Sequence, residues 1–274
     1  MSREPLPSVY VGDRTLLVHT TWGFHLYCPS QEMSITPHLA LHGTFETPLA
    51  NFLIRHLAKG DSVLDVGANI GVFTVLAGFL VGTEGHVLAV EPVPHHLSFL
   101  RRNVMTNWLG PRTKVIASAA GHESGELVIR ANDRWGGLAS AKTVGDEELT
   151  VGVIDEGSYD ISVPIDRVDA LVAGDDRVWS CVKIDVEGFE YQVLSGMADL
   201  MHSGRVKAVV FECIAFRMKD DWGPFCQLLR AYEMKGWTFA VLTDEGEQAV
   251  PVSLIVDHGY LYHVLMRSPA TRGA

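Results

Sequence analysis

The chain has 274 residues, 47% of them apolar and 20% charged, enough to bury a large core in one main domain and too evenly mixed for a disordered or fibrous chain. Its net charge of −11, with no compact Lys/Arg cluster to reverse it locally, sets up a field that repels a phosphate backbone, so nucleic acid is not an expected partner. The longest apolar stretch, VFTVLAGFLV at residues 72–81, is far short of the roughly 20 residues a bilayer span needs, and the N-terminal run MSREPLPSVYVGD lacks the apolar core of a secretion signal; no membrane partner and a cytoplasmic location are expected.

Residues 8–28 hold β-rich pieces (SVYV, TLLVHT, FHLYC) parted by Gly12 and Gly23, and predict a small hairpin within an N-terminal extension over residues 1–45. The main domain, 46–274, opens on an amphipathic helix, because Leu49, Phe52, Leu53, His56 and Leu57 recur at helical spacing. SVLDVG, an apolar helix, HVLAVEP, a helix over about 95–108 and KVIASAA follow. Strand, helix, strand, helix, strand at these lengths requires right-handed crossovers, so the fold class is α/β with a doubly wound, mostly parallel, Rossmann-like sheet.

Between Gly121 and Ser162 the chain is rich in Gly, Ser, Asp and Glu, with strand-like pieces such as ELVIR and ELTVGVI, and predicts loops or a β-excursion over the sheet. The parallel pattern resumes at CVKIDV (181–186), with a helix over about 189–201, the buried strand VKAVVFEC (206–213) and an amphipathic helix over about 223–235. The C-terminal pieces WTFAVL, VPVSLIV and YLYHVLM are expected to supply the last strands, one of them antiparallel at an edge. Cys28, Cys181, Cys213 and Cys226 are scattered singly and predict neither a disulfide nor a metal site. The adjacent His95 and His96 point in different directions on a helix and are expected at a partly solvated surface.

The sharpest local signal is DVGANIG, residues 65–71, between an apolar strand and a helix. Gly67 permits a tight turn with close backbone approach, Gly71 lets the helix pack against the strand, and Asn69 is the non-glycine residue that best tolerates a left-handed backbone. Asp65 would repel a pyrophosphate but suits a ligand carrying an ammonium and a sulfonium, which favours S-adenosylmethionine over a dinucleotide. Glu91 ends the next strand, where an acid receives ribose hydroxyls. Ala119 and Ala120, small residues past the third strand, either leave room for a flat adenine or simply pack tightly.

The second signal is KIDVEGFE, residues 183–190. Lys183, Asp185 and Glu187 share one side of an extended chain, and burying three charges without pairing or use is expensive, so they belong either to a polar site or to a structural ion-pair network.

DVGANIG and KIDVEGFE, with AVEP between them, together resemble the FkbM-type family of S-adenosylmethionine-dependent methyltransferases; the resemblance covers roughly residues 45–212, including the Phe45-Glu46 pair, Asn103 and the strand ending at Glu212. It implies a class I methyltransferase fold, with Asp65, Gly67, Asn69 and Gly71 holding the methionine part of the donor and Glu91 its ribose. Glu46, Ala68, Pro92, Ala119, Ala120 and Asp185 are expected as further cofactor contacts, and Lys183, Asp185, Glu187 and Glu190 as the lining of the active site. It implies O-methylation of a hydroxyl on a sugar or secondary metabolite, an in-line displacement; because the charges cluster at a strand end, Asp185 or Glu187 is the expected general base, with Lys183 orienting a carboxylate or the acceptor. Trp135 and Ser140 are candidate acceptor contacts. The alternatives are N-methylation of a small amine, an NAD(P)-dependent oxidoreductase and a non-catalytic nucleotide-sensing module; a homo-oligomer is compatible with all of them.

Overall fold

A computed structural model describes residues 7–136, the backbone of 140–141, and residues 157–269. Its strands, in chain order, are β1 (Val9–Tyr10), β2 (Thr15–His19), β3 (His25–Pro29), β4 (Ser62–Val66), β5 (His86–Val90), β6 (Thr113–Ile116), β7 (Ala119–Gly121), β8 (Gly125–Asn132), β9 (Ser140–Ala141), β10 (Ser158–Arg167), β11 (Trp179–Ile184), β12 (Ala208–Ile214), β13 (Thr238–Thr243), β14 (Gly246–Val250) and β15 (Tyr260–Arg267). Among the described residues the main sheet has the order β14-β13-β15-β12-β11-β4-β5-β6. The pairs from β12 through β6 are parallel, and β15, β13 and β14 add antiparallel pairs at one side.

The central strands are apolar along their length because both faces are covered, as parallel sheets require. In β4, Val63 packs into one core with Val75, Leu76 and Leu97, while Leu64 and Val66 face a second core with Val193, Leu194 and Phe225. The helix Val72–Leu80 is buried over most of its length, which accounts for its apolar run. No helix among the described residues is long and apolar enough to cross a membrane. The four cysteines are buried and free.

Several elements differ from the sequence expectation, each for a local reason. The N-terminal hairpin is a three-stranded antiparallel sheet, β1-β2-β3, whose Val18, Leu26 and Cys28 join the first core. Asn103 ties it to the helix Pro94–Thr106, accepting the Tyr27 N–H at 2.6 Å and donating to the Tyr27 carbonyl at 3.0 Å. KVIASAA is two strands, because the chain leaves the edge of the main sheet after Ile116 and pairs Ala119 and Ala120 in parallel with β10. That exchange starts a second sheet, β7-β10-β8-β9, which takes up much of the described part of the excursion after Gly121; residues 137–139 and 142–156, the latter including ELTVGVI, and the side chain of Ser140 lie outside the described residues.

The helix expected over 189–201 is broken into Glu190–Gly196 and Ala198–His202. A Cβ on Gly196 would lie 1.7 Å from the Gly121 carbonyl oxygen, so the first helix ends where its backbone presses against β7. VPVSLIV is not a strand: Pro251 precedes the helix Val252–His258, which buries Val252 and Ile255 at i, i+3 spacing. A seven-residue apolar run reads equally well as strand or buried helix, and packing decided it.

Candidate active site

Chain order reverses beside β4, since β5 and β6 lie to one side and β11 and β12 to the other. Open α/β sheets leave a crevice beyond the strand ends at such a point, and the turns after β4 and β11 meet there. Gly67 has φ +75°, and a Cβ on it would lie 1.8 Å from the Asp185 carbonyl oxygen, so this position admits only glycine. Its N–H and that of Ala68 donate to the Val90 carbonyl at 2.9 and 3.1 Å, which ties the turn to β5. Asn69 is left-handed at φ +51°, and its side-chain amide donates to the Gly136 carbonyl at 3.1 Å. Gly71 packs against a helix rather than a strand: its Cβ would lie 2.6 Å from Leu100 Cδ1.

Glu91 is 4% exposed and lines the cavity, and both of its carboxylate oxygens have partners. It accepts the Asn69 N–H at 2.9 Å and the Val93 N–H at 2.9 Å, and lies 3.3 Å from His96 Nδ1. This corrects the surface assignment of the histidine pair. His95 is half-buried, but His96 is only 3% exposed and lines the cavity, because the helix begins at Pro94 and turns this side chain back onto Glu91.

Behind the turn, Asp65 is 1% exposed and accepts a hydrogen bond from Thr74 Oγ1 at 2.5 Å. Its other oxygen stands 3.3 Å from Lys183 Nζ without hydrogen-bond geometry. Lys183 Nζ donates to the Gly67 carbonyl at 3.1 Å and pairs with Asp185 at 3.2 Å. Burial works to lower the Lys183 pKa, but Asp185, Asp65 and Glu46 outweigh it and hold the ammonium above the ordinary lysine value. Lys183 thus clamps the β4 and β11 turns together.

The extended chain stops at Ile184, so Glu187 does not continue the face shared by Lys183 and Asp185. Glu187 is left-handed at φ +56°, a conformation costing about 1–2 kcal/mol for a residue with a Cβ, and its carboxylate pairs with Arg217. Arg217 also lies 3.2 Å from Glu212, at the carboxyl end of β12. Burial, then Asp185, pushes Glu187 well above the usual carboxylate range against the pull of Arg217. Glu212 is pushed up to about 8 by burial and Asp185 in the same way. Glu190 lies beneath the loop and accepts the Val186 and Gly188 N–H groups at 3.2 and 3.3 Å; burial raises it to about 7, although its backbone hydrogen bonds pull the other way. Glu46, left-handed at φ +44°, sits 3.1 Å from His263 Nε2.

These groups surround one cavity of about 420 Å³. Glu46, Gly67, Ala68, Asn69, Glu91, Pro92, Ala119, Ala120, Lys183, Asp185 and Glu187 all line it. Asp65, Gly71 and Glu190 do not; they stand one layer behind as the anchor of Lys183, the helix contact and the support of the 186–188 loop. Trp135 lines the same cavity, beside Gly136 and hence near Asn69. Glu212 is an acid near the carboxyl end of the apolar β12, which runs on to Ile214, and an acid in that position, like Glu91 just after β5, could have found it as a site residue. Arg217, Ser34 and Ile35 carried no such signal, since tertiary folding alone brings them to the cavity.

Among known protein families, the model of the methyltransferase FkbM domain matches residues 65–246. The chain belongs to the FkbM methyltransferase family. Methyltransferase 1 of Beauveria bassiana is 27% identical to it over 202 residues, 69% of this chain and 76% of that protein. The 31-O-demethyl-FK506 methyltransferase FkbM of Streptomyces tacrolimicus is 28% identical over 182 residues, 58% of this chain and 68% of that protein. A solved methyltransferase FkbM from Methylobacillus flagellatus superposes with a TM-score of 0.45 at 13% identity, covering 80% of this chain and 50% of the other. This FkbM-family chain therefore spans about half the length of that solved relative. The match begins at Asp65 and takes in both the turn after β4 and the KIDVEGFE run.

Proposed function

We propose that this chain is an S-adenosylmethionine-dependent O-methyltransferase acting on a hydroxyl of a small molecule, such as a sugar or a secondary metabolite. The observation that carries the proposal is the cavity itself, lined on one side by the Gly67 turn and Glu91 and on the other by carboxylates gathered about Arg217. The residues fit the donor that the family implies. About 420 Å³ lies within the usual range of small-molecule sites. Glu46, Asp185 and Glu187 complement an ammonium and a sulfonium, and Glu91 stands where an acid receives ribose hydroxyls.

The bound donor supplies a methyl group already activated on a sulfonium, so the protein's work is alignment and proton removal. Alignment can be worth about 7–11 kcal/mol in favourable cases. Glu187 is the proposed general base: its raised pKa makes it a stronger proton acceptor than an ordinary carboxylate, and its pairing with Arg217 keeps the charged form accessible. Glu187 would take the proton of the acceptor hydroxyl, leaving its oxygen free to receive the methyl group that the bound donor would supply. Asp185 is held by Lys183 and is the second candidate base. A buried base of raised pKa supports a hydroxyl acceptor over an amine, which needs less help once deprotonated.

Titration calorimetry with S-adenosylmethionine and S-adenosylhomocysteine is expected to show saturable binding of both, and mass detection across an acceptor panel is expected to show one added methyl on a hydroxyl compound. Absence of heat with either ligand on folded protein overturns the donor assignment. Methylation of amines alone overturns the hydroxyl assignment.

A further inference from the structure

The turn after β3 carries a buried acid that the chemistry above does not use. Glu32 is 3% exposed, and its carboxylate accepts the Ser34, Ile35 and Thr36 N–H groups at 2.7, 2.8 and 2.6 Å. A carboxylate holding several amides in this way fixes the backbone by charge-assisted bonds. The turn it fixes presents Ser34 and Ile35 to the cavity.

A second turn meets the first. Asn132 is 4% exposed; its side chain accepts the Arg134 N–H at 2.9 Å and its carbonyl the Trp135 N–H at 3.2 Å. The two turns are joined by the Met33 N–H, which donates to the Arg134 carbonyl at 2.7 Å. Gly136 closes the arrangement: a Cβ there would lie 3.1 Å from His96 Nε2 and 3.4 Å from Glu32 Cγ, and its carbonyl accepts from Asn69. His96 reaches Glu91 from the same side. A continuous set of contacts therefore runs from the N-terminal segment to the acid at the end of β5.

We infer that the 32–36 turn, the 133–136 turn and His96 form the wall that encloses the nucleoside end of the donor, with Glu32 as its positioning residue. The segment that follows the N-terminal β-sheet is then part of the cofactor site rather than a separate decoration. The inference rests on the donor assignment above.

Binding of S-adenosylhomocysteine and of 5′-methylthioadenosine, which lacks the amino-acid part, tests it on the full chain. Glu32→Ala and His96→Ala are each expected to weaken both ligands about tenfold and by the same factor, mainly through faster dissociation. Tyr10→Ala, on the exposed face of the N-terminal sheet, is expected to leave both unchanged. In the unmutated protein, S-adenosylhomocysteine is expected to slow hydrogen exchange at residues 33–36, a readout that does not depend on a variant folding. Wild-type affinity in both variants, or unchanged exchange at residues 33–36 on loading, overturns the wall while leaving the donor assignment intact. Failure of the unmutated protein to bind either ligand overturns both.

Discussion

The two sides of the cavity are built from different material. On the side proposed for the donor, a single turn after β4 has its backbone amides tied to Val90 and Glu91, and its shape is held by contacts as close as that between Gly67 and Asp185. On the side proposed for the acceptor, Asp185 and Glu187 from the turn after β11 and Glu212 from β12 are paired with Lys183 and Arg217, and Glu187 is left-handed without being glycine. The donor side therefore depends on exact fit of main chain, and the acceptor side on a balance of buried charge. Changes of shape should damage the first, and changes of charge the second.

The largest effect is expected from shape. Gly67→Ala drives a Cβ into the Asp185 carbonyl at a left-handed φ, and should cost at least about 4 kcal/mol and abolish donor binding; denaturant unfolding and calorimetry check this. A variant that melts and binds as the parent does would break the contrast. Next comes the charge of the acceptor side. Glu187→Gln keeps the shape and removes the base, so turnover should fall by about 10²-fold or more while donor affinity changes little. Asp185→Asn, tested beside it, should lower turnover less if Glu187 is the base; a larger loss from Asp185→Asn reverses the assignment.

Buried charge also ties stability to pH. Glu190 titrates near the usual 4.5 when unfolded and at about 7 when folded. Between those values the native state holds a proton that the unfolded state has released, so stability is full below the lower value and falls as pH rises through the upper one, by on the order of 3 kcal/mol. Glu190→Gln should accept the same two amides and flatten the decline in melting temperature between about pH 5 and about pH 8. A curve as steep as the parent's would place the titration elsewhere. The smallest effect is expected at Glu91. Glu91→Gln keeps the side chain's size and some of its hydrogen bonds, so donor affinity should drop about tenfold with turnover at saturation preserved. Equal loss of both would show that this acid also serves the acceptor side.

Much of this was legible in the residues alone. Apolar strands closing on Asp65 and Glu91, with a glycine turn between strand and helix, read directly as a parallel sheet and a ligand turn, because a contiguous segment carries its own periodicity and backbone requirements. The charged run at 183–190 read as either a polar site or an ion-pair network, because buried charge demands a partner. Which charge faces the cavity was a different matter. Asp65, Gly71 and Glu190 were read with the site and stand behind it, whereas His96, Glu212 and Arg217 line it.

Sequence by itself thus determined the α/β class, the order of the parallel strands' motifs and the position of the glycine turn after β4, all of which follow from local spacing. Only the tertiary structure decided that VPVSLIV is a helix, that β7 leaves the main sheet, and that residues 34–35, 212 and 217 converge on one cavity. Those outcomes depend on contacts between residues far apart in the chain, whose energies no local pattern of residues records.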